Sequence, residues 1–265
     1  MNDPYRPGTP CWIDLMVPDQ QAAIDFYCDL FGWQGEVGPP EQGGYSVCTL
    51  KGKPVAGIMK AMNQDGTVPD PMPPTAWTTY LSTDAIDATL RSVTEAGGTA
   101  VVPPMDVMDL GRMAVIADPA GAVFGLWQPG TFGGAGIVNE HGALVWSELT
   151  TPDPDAASAF YSAALPVTTT PSEMEGADGY VEFQVDGRAV GGMMDMSKLP
   201  PNVTPHWQPY FAVDSVDDIQ AAAVRAGATV LAPAFDMVAG RMAVLADPQG
   251  GAFSVIAPRP HENAA

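Results

Sequence analysis

The chain has 265 residues and a formal net charge of −20, because it carries 31 acidic residues and only 11 lysines and arginines. Such a chain repels phosphate backbones and anionic lipids, which argues against nucleic-acid and membrane partners. Three cysteines without paired spacing, and an N-terminus without an apolar segment, favour a cytoplasmic protein without disulfides.

The first unit is predicted as a strand, a helix and further strands. The strand covers residues 11–17, Asp19 supplies the helix N-cap, and Gly32 ends the helix. The helix has one apolar face at i, i+3, i+4 and i+7 spacing, formed by Ala23, Phe26, Tyr27 and Leu30. Strands are predicted next around residues 44–50 and 54–61.

The second unit repeats this order. A strand over residues 77–83 leads to Asp84 as the helix N-cap, and Gly97 closes the helix. The Asp-Pro-Ala-Gly sequence at 118–121 predicts a turn. The strands predicted after the helix are 99–103, 112–117 and 122–127.

The second half of the chain repeats the first half, at an offset that drifts from 134 to 129 residues. The matching segments are 11–33 with 145–165, 77–107 with 207–237, and 111–127 with 240–256. The repeat predicts an N-terminal domain over residues 8–128, a glycine-rich linker over 129–141 and a C-terminal domain over 142–257. Each domain is predicted to hold two strand–helix–strand–strand–strand units of an α+β fold.

The paired βαβββ units, the D-x-x-x-(A/S)-x-x-F-Y helix and the A-D-P-x-G hairpin resemble the vicinal oxygen chelate superfamily. This superfamily includes glyoxalase I, bleomycin-resistance proteins, extradiol dioxygenases and fosfomycin-resistance enzymes. The resemblance extends to tandem glyoxalase-like proteins of actinobacteria, among them Streptomyces proteins labelled hydroxylase or glyoxalase. It implies four βαβββ modules in two tandem glyoxalase-like domains, with a cup formed by each pair of modules. One fold hosts many chemistries, so the reaction stays open.

The resemblance also implies where the family would hold a metal ion. Counted from the motifs, these positions are Trp12, Thr49, Thr78 and Gly125 in the first half, and Trp146, Gln184, Gln208 and Ser254 in the second. None of the first four is a usual ligand, and two amide oxygens alone bind transition metals poorly. We therefore predict no cofactor and no metal site. The alternative is a divalent Zn, Ni, Fe or Mn ion held by Glu148, Gln208 and His206.

Three residues are candidates for acid–base catalysis. Strand alternation places Asp14 beside Trp12 and Glu148 beside Trp146, facing the cups. Burial raises the pKa of a carboxyl group and suits it to general acid or base work. The alternative is a structural carboxylate tied to an arginine or to backbone amides. His206 is the third candidate because imidazole titrates near neutral pH, and its alternative is a purely structural role.

The predicted ligand contacts are Trp12, Trp146, Tyr80, Gln208, Tyr210, Arg112 and Arg241. Arg112 and Arg241 occupy matching positions in the two halves. Each arginine could hold an anionic or carbonyl oxygen of a ligand. The alternative is a structural clamp with Asp106 and Asp236, which precede the arginines by a few residues.

These features predict a metal-independent lyase, isomerase or hydrolase step on an apolar, aromatic or polyketide-like metabolite. Two other functions stay open. One is the sequestration of a drug or metabolite, as in bleomycin-resistance proteins. The other is a metal-dependent glyoxalase-like lyase or a hydroxylase or dioxygenase. The expected partner is a small molecule, and the expected state is a monomer or a homodimer.

Overall fold

A computed structural model describes residues 5–40, 43–63, 66–201 and 203–259. The first half holds β1 (Pro10–Val17), α1 (Gln20–Phe31), β2 (Ser46–Leu50), β3 (Lys53–Lys60), β4 (Ala76–Ser82), α2 (Ile86–Glu95), β5 (Thr99–Val107), β6 (Gly111–Ala117) and β7 (Val123–Pro129). The second half holds β8 (Leu144–Thr151), α3 (Pro154–Ala164), β9 (Thr168–Pro171), β10 (Val181–Val185), β11 (Arg188–Asp195), β12 (His206–Ala212), α4 (Val216–Arg225), β13 (Thr229–Met237), β14 (Gly240–Ala246) and β15 (Ala252–Pro258). The predicted α+β class is confirmed.

Each half supplies one mixed sheet. The seven-stranded sheet has the order β2-β3-β1-β4-β7-β6-β5, and the eight-stranded sheet has the order β13-β14-β15-β12-β8-β11-β10-β9. In every module the first strand runs parallel to the last, as β1 does with β3 and β8 with β11. The other paired strands of a module are antiparallel, so one βαβββ pattern recurs along the chain.

The first module departs from the predicted pattern. In its described residues two strands follow α1, whereas three follow the helix of each other module. An isolated bridge between Gln34 and Thr49 lies where the additional strand would pair, with reciprocal backbone hydrogen bonds of 2.8 Å. The bridge contributes one ladder position in place of a full strand.

Two aspartates were predicted as helix N-caps in the first half, and one of these predictions is confirmed. Asp19 caps α1 as predicted, because its carboxylate accepts a hydrogen bond from the Ala22 amide, and Gly32 ends the helix with a left-handed φ of 72°. The prediction that Asp84 caps α2 is wrong. The N-cap is Ala85, which has no side chain that can cap the helix. The Ile86 amide, at the first position of the helix, instead donates a hydrogen bond to the Gln128 side chain at 2.8 Å. No described helix is long and apolar enough to span a bilayer.

The chain also divides into two compact units, and each unit contains modules from both halves. Unit I comprises Met1–Ile13, Thr78–Gly136 and Trp146–Gln208, and unit II comprises Asp14–Trp77, Ile137–Val145 and Pro209–Ala265. Each sheet takes its strands from one half of the chain, whereas each unit takes modules from both halves. Sheets and units thus divide the chain differently, and the domain boundaries proposed from sequence stay a prediction.

The core of unit I joins the helix-covered faces of the second and third modules. Its fully or largely buried members include Ile86, Val93, Ile116, Phe124, Leu149 and Phe160. Gly98 is required for this packing, because a Cβ atom there would stand 2.9 Å from the Phe160 ring. At roughly 1.5–3 kcal/mol for each buried large apolar side chain, such a core is a main source of the unit's stability.

A buried tyrosine in unit I connects two repeated motifs. Tyr161, from the Phe-Tyr pair of α3, donates a hydrogen bond to Asp118 at 3.1 Å. The Tyr161 hydroxyl also accepts a hydrogen bond from the Trp207 indole at 2.9 Å. The other oxygen of Asp118 accepts backbone bonds from Ala120 and Ala122, which closes the Asp-Pro-x-Gly turn. Burial raises the pKa of both Tyr161 and Asp118.

Unit II contains the same arrangement with the halves exchanged. Tyr27 of α1 donates a hydrogen bond to Asp247 at 2.9 Å and accepts one from the Trp77 indole at 3.2 Å. Burial also raises the pKa of Tyr27 well above its ordinary value. In each unit a helix from one half is therefore bonded to the Asp-Pro-x-Gly turn of the other half.

Replacing Tyr161 by phenylalanine removes both side-chain hydrogen bonds and leaves the buried Asp118 and Trp207 groups short of a partner. We expect Tyr161→Phe to lower the free energy of unfolding by about 1–3 kcal/mol. Chemical denaturation measures this loss. Asp84→Ala is the control, since Asp84 is exposed and caps no helix, and its effect should stay within about 0.5 kcal/mol. Equal losses in the two variants would contradict the role of the network.

Candidate functional site

Glu148 lies on β8, and its side chain is 7% exposed. In the parallel ladder it is opposite Gly192 of β11. Tyr180 reaches across this glycine and donates a hydrogen bond to the Glu148 carboxylate. A Cβ atom at position 192 would collide with the Tyr180 hydroxyl. The glycine therefore makes room for a tyrosine–carboxylate pair.

The Trp146 indole fixes the other side of this tyrosine. Its Nε1 donates a hydrogen bond to the Tyr180 hydroxyl at 2.7 Å. Trp146 and Glu148 are two residues apart on β8 and therefore lie on the same face of the sheet. Burial, and secondarily the negative charge of Glu148, raises the pKa of Tyr180 far above its ordinary value. Tyr180 stays protonated, and these three residues form what we call the Glu148 triad.

A second carboxylate lies beside the triad. Glu182 is half-buried, two residues after Tyr180, and accepts a hydrogen bond from the Ser172 hydroxyl at 2.8 Å. The amide nitrogen of Gln184 is 3.5 Å from the other carboxylate oxygen of Glu182. The Gln184 side chain thus directs its amide nitrogen toward a neighbouring acid.

The first half carries the same combination in unit II. The Tyr45 hydroxyl donates to the Asp14 carboxylate at 3.3 Å, and Asp14 is 2% exposed. Gly57 is opposite Asp14 in the parallel ladder, and a Cβ atom there would collide with the Tyr45 hydroxyl.

Neither Tyr45 nor Tyr180 was predicted as a site residue from the sequence. The available signal was their shared repeat offset of 135 residues, which is 180 − 45 for the tyrosines and 192 − 57 for the glycines.

Tyr80 and Trp12 are both buried. Tyr80 is 3% exposed and lies over Gly125, its register partner on β7, where a Cβ atom would collide with the ring. Trp12 is 4% exposed and packs edge-on against Phe132, with ring centroids 5.0 Å apart. The implied last-strand metal position of the first half is covered by the Tyr80 ring.

Three further candidates lie on β12. His206 is half-buried at the start of the strand, and its Nδ1 atom is 2.8 Å from the Thr204 carbonyl oxygen. Gln208 is 6% exposed and Tyr210 is 8% exposed. Tyr210 is opposite Ser254 of β15 in the ladder. The catalytic role of His206 and the ligand contacts of the other two stay predictions.

The two arginines are held by carboxylates at matching positions. Arg112 pairs with Asp87 at 2.7 Å and with Asp106 at 3.1 Å. Its counterpart Arg241 pairs with Asp217 at 2.8 Å and with Asp236 at 3.4 Å. The hydrogen bond from each arginine lowers the pKa of the helix aspartate that accepts it, Asp87 or Asp217. The clamp expected as one alternative is thus present, with a second carboxylate from the helix, and ligand binding by the arginines remains a prediction.

The residues at the implied metal positions do not fit a metal ion. Across the described ranges, no three His, Cys, Asp or Glu side chains come together in a group that could hold one. The Glu148 carboxylate is bonded to Tyr180, and the Gln184 amide nitrogen faces Glu182. In the first half, an aromatic ring covers Gly125. The side chains at these positions are thus committed to contacts within the protein.

Comparison with known proteins defines the class. Residues 11–126 match the model of the Glyoxalase/Bleomycin resistance protein/Dioxygenase superfamily, and residues 146–256 match a glyoxalase-like domain. The chain belongs to this superfamily, which confirms the resemblance inferred from the repeated motifs.

Among its relatives is "Putative glyoxylase CFP32" of Mycobacterium tuberculosis, 44% identical over 261 residues that cover 97% of this chain and 98% of that protein. "Anthracycline biosynthesis protein DnrV" of Streptomyces peucetius is 38% identical over 263 residues, with coverage of 95% and 94%. The chain is thus a glyoxalase-like protein related to antibiotic biosynthesis proteins.

Solved structures share the fold at low sequence identity. The Mn(II)-bound glyoxalase from Novosphingobium aromaticivorans has a TM-score of 0.63 at 15% identity, covering 95% of this chain and 83% of that chain. The 2,3-dioxygenase LapB from Pseudomonas sp. KL28 has a TM-score of 0.59 at 16% identity, with coverage of 99% and 96%. The description of the matched superfamily itself names glyoxalases and dioxygenases, which are enzymes, and these two solved structures share their fold with this chain.

Burial of the tyrosines predicts an alkaline titration that differs between the folded and unfolded chain. Burial raises the pKa of Tyr5 to about 12 and those of Tyr27, Tyr161 and Tyr180 well above 10. At pH 11 the native protein should keep at least these four of its seven tyrosines protonated, as read from tyrosinate absorbance. Because unfolded tyrosines ionise near pH 10, the free energy of unfolding should fall above that pH. Native titration of all seven near pH 10 would contradict the burial of the Glu148 triad.

Proposed function

We propose that this protein binds a flat, apolar aromatic metabolite of the polyketide type and converts it by acid–base chemistry at Glu148. The observation that carries the proposal is the buried Glu148 carboxylate, bonded to a tyrosine that is itself fixed by Trp146. Positioned proton-transfer groups of this kind contribute about 10²–10⁴-fold to a rate.

The triad supplies both a base and an acid. Glu148 removes a proton from a carbon next to a ligand carbonyl, and the electron pair moves onto the carbonyl oxygen. The Tyr180 hydroxyl has a single proton, which faces the Glu148 carboxylate before the reaction. As Glu148 takes up the substrate proton and loses its charge, the hydroxyl turns that proton toward the negative charge developing on the ligand oxygen. In an isomerisation the same proton returns from Glu148 to a second carbon. In a lyase step the electron pair returns from the oxygen to form a carbon–carbon double bond, the bond to a leaving group on the next carbon breaks, and that group takes the electron pair and the proton from Glu148. No electrons are gained or lost, so the step needs no redox partner.

The ligand class follows from the aromatic surface and from a relative. Trp146 is half-buried beside the carboxylate, and aromatic planes of this kind suit flat organic rings. DnrV is named for the biosynthesis of anthracyclines, which are fused-ring aromatic compounds. We propose a small molecule of this kind as the partner of a cytoplasmic monomer or homodimer.

Sequestration without turnover is the second candidate function. It is favoured by the half-exposed Trp146, because stacking on an aromatic plane requires no titratable group. Tight stoichiometric binding of an anthracycline, with no product after long incubation, would support it over catalysis.

Glu148→Gln keeps the shape of the side chain but removes its basicity. Conversion of an anthracycline, followed by liquid chromatography, should fall at least about 100-fold, while its binding stays within a few-fold. Asp186→Asn is the control, because Asp186 is exposed and pairs with Arg6 on the surface. If Asp14→Asn abolishes conversion and Glu148→Gln does not, the active carboxylate belongs to the first half.

Metal analysis of the purified protein tests the proposed lack of a metal centre. We expect Zn, Ni, Fe and Mn each well below one ion per chain, and full conversion after treatment with a chelator. A stoichiometric ion whose removal stops the reaction would support a metal-dependent lyase or oxygenase instead.

A further inference from the structure

The two tryptophans at equivalent positions of the first strand in each half differ in exposure. Trp12 on β1 is 4% exposed, whereas Trp146 on β8 is half-buried. The chain has six tryptophans, all within the described residues, and Trp146 is the only one that is not buried. The repeat therefore produced one covered and one accessible indole ring.

The ring that covers Trp12 comes from the segment between the two halves. Phe132 packs edge-on against Trp12, with ring centroids 5.0 Å apart, and against Trp127 at 6.0 Å. The Phe132 amide donates to the Leu110 carbonyl at 3.0 Å, and its own carbonyl accepts from the Trp127 indole at 2.9 Å. Phe132 is thus held in place by its backbone as well as by its ring.

Three residues further on, the same segment is bonded to β1. The Ala135 amide donates to the Cys11 carbonyl at 2.8 Å. Gly134 has a φ of 111°, and a Cβ atom there would collide with that carbonyl. We call residues 130–136 the covering segment. The sequence predicted a glycine-rich linker over residues 129–141, and these contacts place the segment against the strand that carries Trp12.

The Trp146 ring is held by a different contact. Its Nε1 donates to Tyr180, which fixes one edge of the indole. In the described part of the chain no aromatic ring packs against Trp146. A fixed and accessible aromatic plane loses little entropy when a flat ligand stacks on it.

We propose that the second half holds the single ligand site, over Trp146, and that the covering segment closes the equivalent position at Trp12. One flat aromatic molecule binds per chain. Phe132 determines this number, because its ring occupies the space next to Trp12 that a ligand would need. The inference rests on the ligand class of the proposed function but not on the chemistry of Glu148.

Chemical footprinting tests the covering segment without any ligand. At a low ratio of N-bromosuccinimide, which oxidises accessible indoles, peptide mapping should find Trp146 modified in the wild type and Trp12 protected. Phe132→Ala should add Trp12 to the modified residues. Phe132→Leu is the matched control, because leucine keeps an apolar cover and should leave Trp12 protected.

The buried Trp33 and Trp77 should stay unmodified in each variant, which verifies that the chain is folded. A reactive Trp12 or a protected Trp146 in the wild type would overturn the inference. An unchanged pattern in a folded Phe132→Ala protein would do the same.

Titration with a fluorescent anthracycline tests the ligand number. The wild type should bind one molecule per chain, and Phe132→Ala should bind two. Trp146→Leu should weaken binding about three- to tenfold, the range that loss of aromatic stacking gives. Two molecules bound to the wild type, or no weakening in Trp146→Leu, would overturn the inference.

The two proposals fail in different ways. Binding over Trp146 together with unchanged conversion in Glu148→Gln would reject the proposed chemistry and leave the single site intact. Absence of anthracycline binding would reject the shared ligand class, and with it the single site, whatever the footprint shows.

Discussion

The buried tyrosine–aspartate–tryptophan networks determine which modules pack together. A tyrosine hydroxyl and a carboxylate withdrawn from water each lose several hydrogen bonds to solvent, so burial is tolerable only when both find partners. Tyr161 and Asp118 find each other in unit I, as Tyr27 and Asp247 do in unit II. Because each pair joins a helix of one half to a turn of the other half, neither half can satisfy its buried polar groups alone.

Each network takes its tryptophan from one face of the first strand of a module, Trp77 on β4 or Trp207 on β12. The opposite face of that strand takes no part in the network. On β12, Trp207 points toward the helix-covered core, while its neighbour Gln208 points to the opposite face. The repeated Phe-Tyr and Asp-Pro-x-Gly motifs serve the covered face. The carboxylates Asp14 and Glu148 belong to the opposite face, where the halves can diverge without loss of packing. The packing networks and the proposed site therefore occupy alternate residues of the same strands.

Local signals in the sequence were sufficient for most elements. Asp19 and Gly32 were recognised because capping and left-handed conformations need only neighbouring residues. The prediction that Asp84 caps α2 failed because the Ile86 amide bonds to the side chain of Gln128, which is 42 residues further along the chain. The hydrogen bond between Tyr180 and Glu148 also depends on residues that are distant in sequence, so the sequence alone did not reveal it. It requires Gly192, which lies next to Glu148 only after β8 and β11 have paired.

The internal repeat offers a criterion for the role of a residue. The clamps at Arg112 and Arg241 are matched in both halves down to their two carboxylates, which agrees with a structural role for the arginines. A functional site needs only one copy and can tolerate loss of the other. Trp12 and Trp146 fit that second pattern, since identical residues at equivalent positions have opposite accessibility. The physical difference between these two rings lies in the covering segment, which is located between the two repeats and packs Phe132 against Trp12.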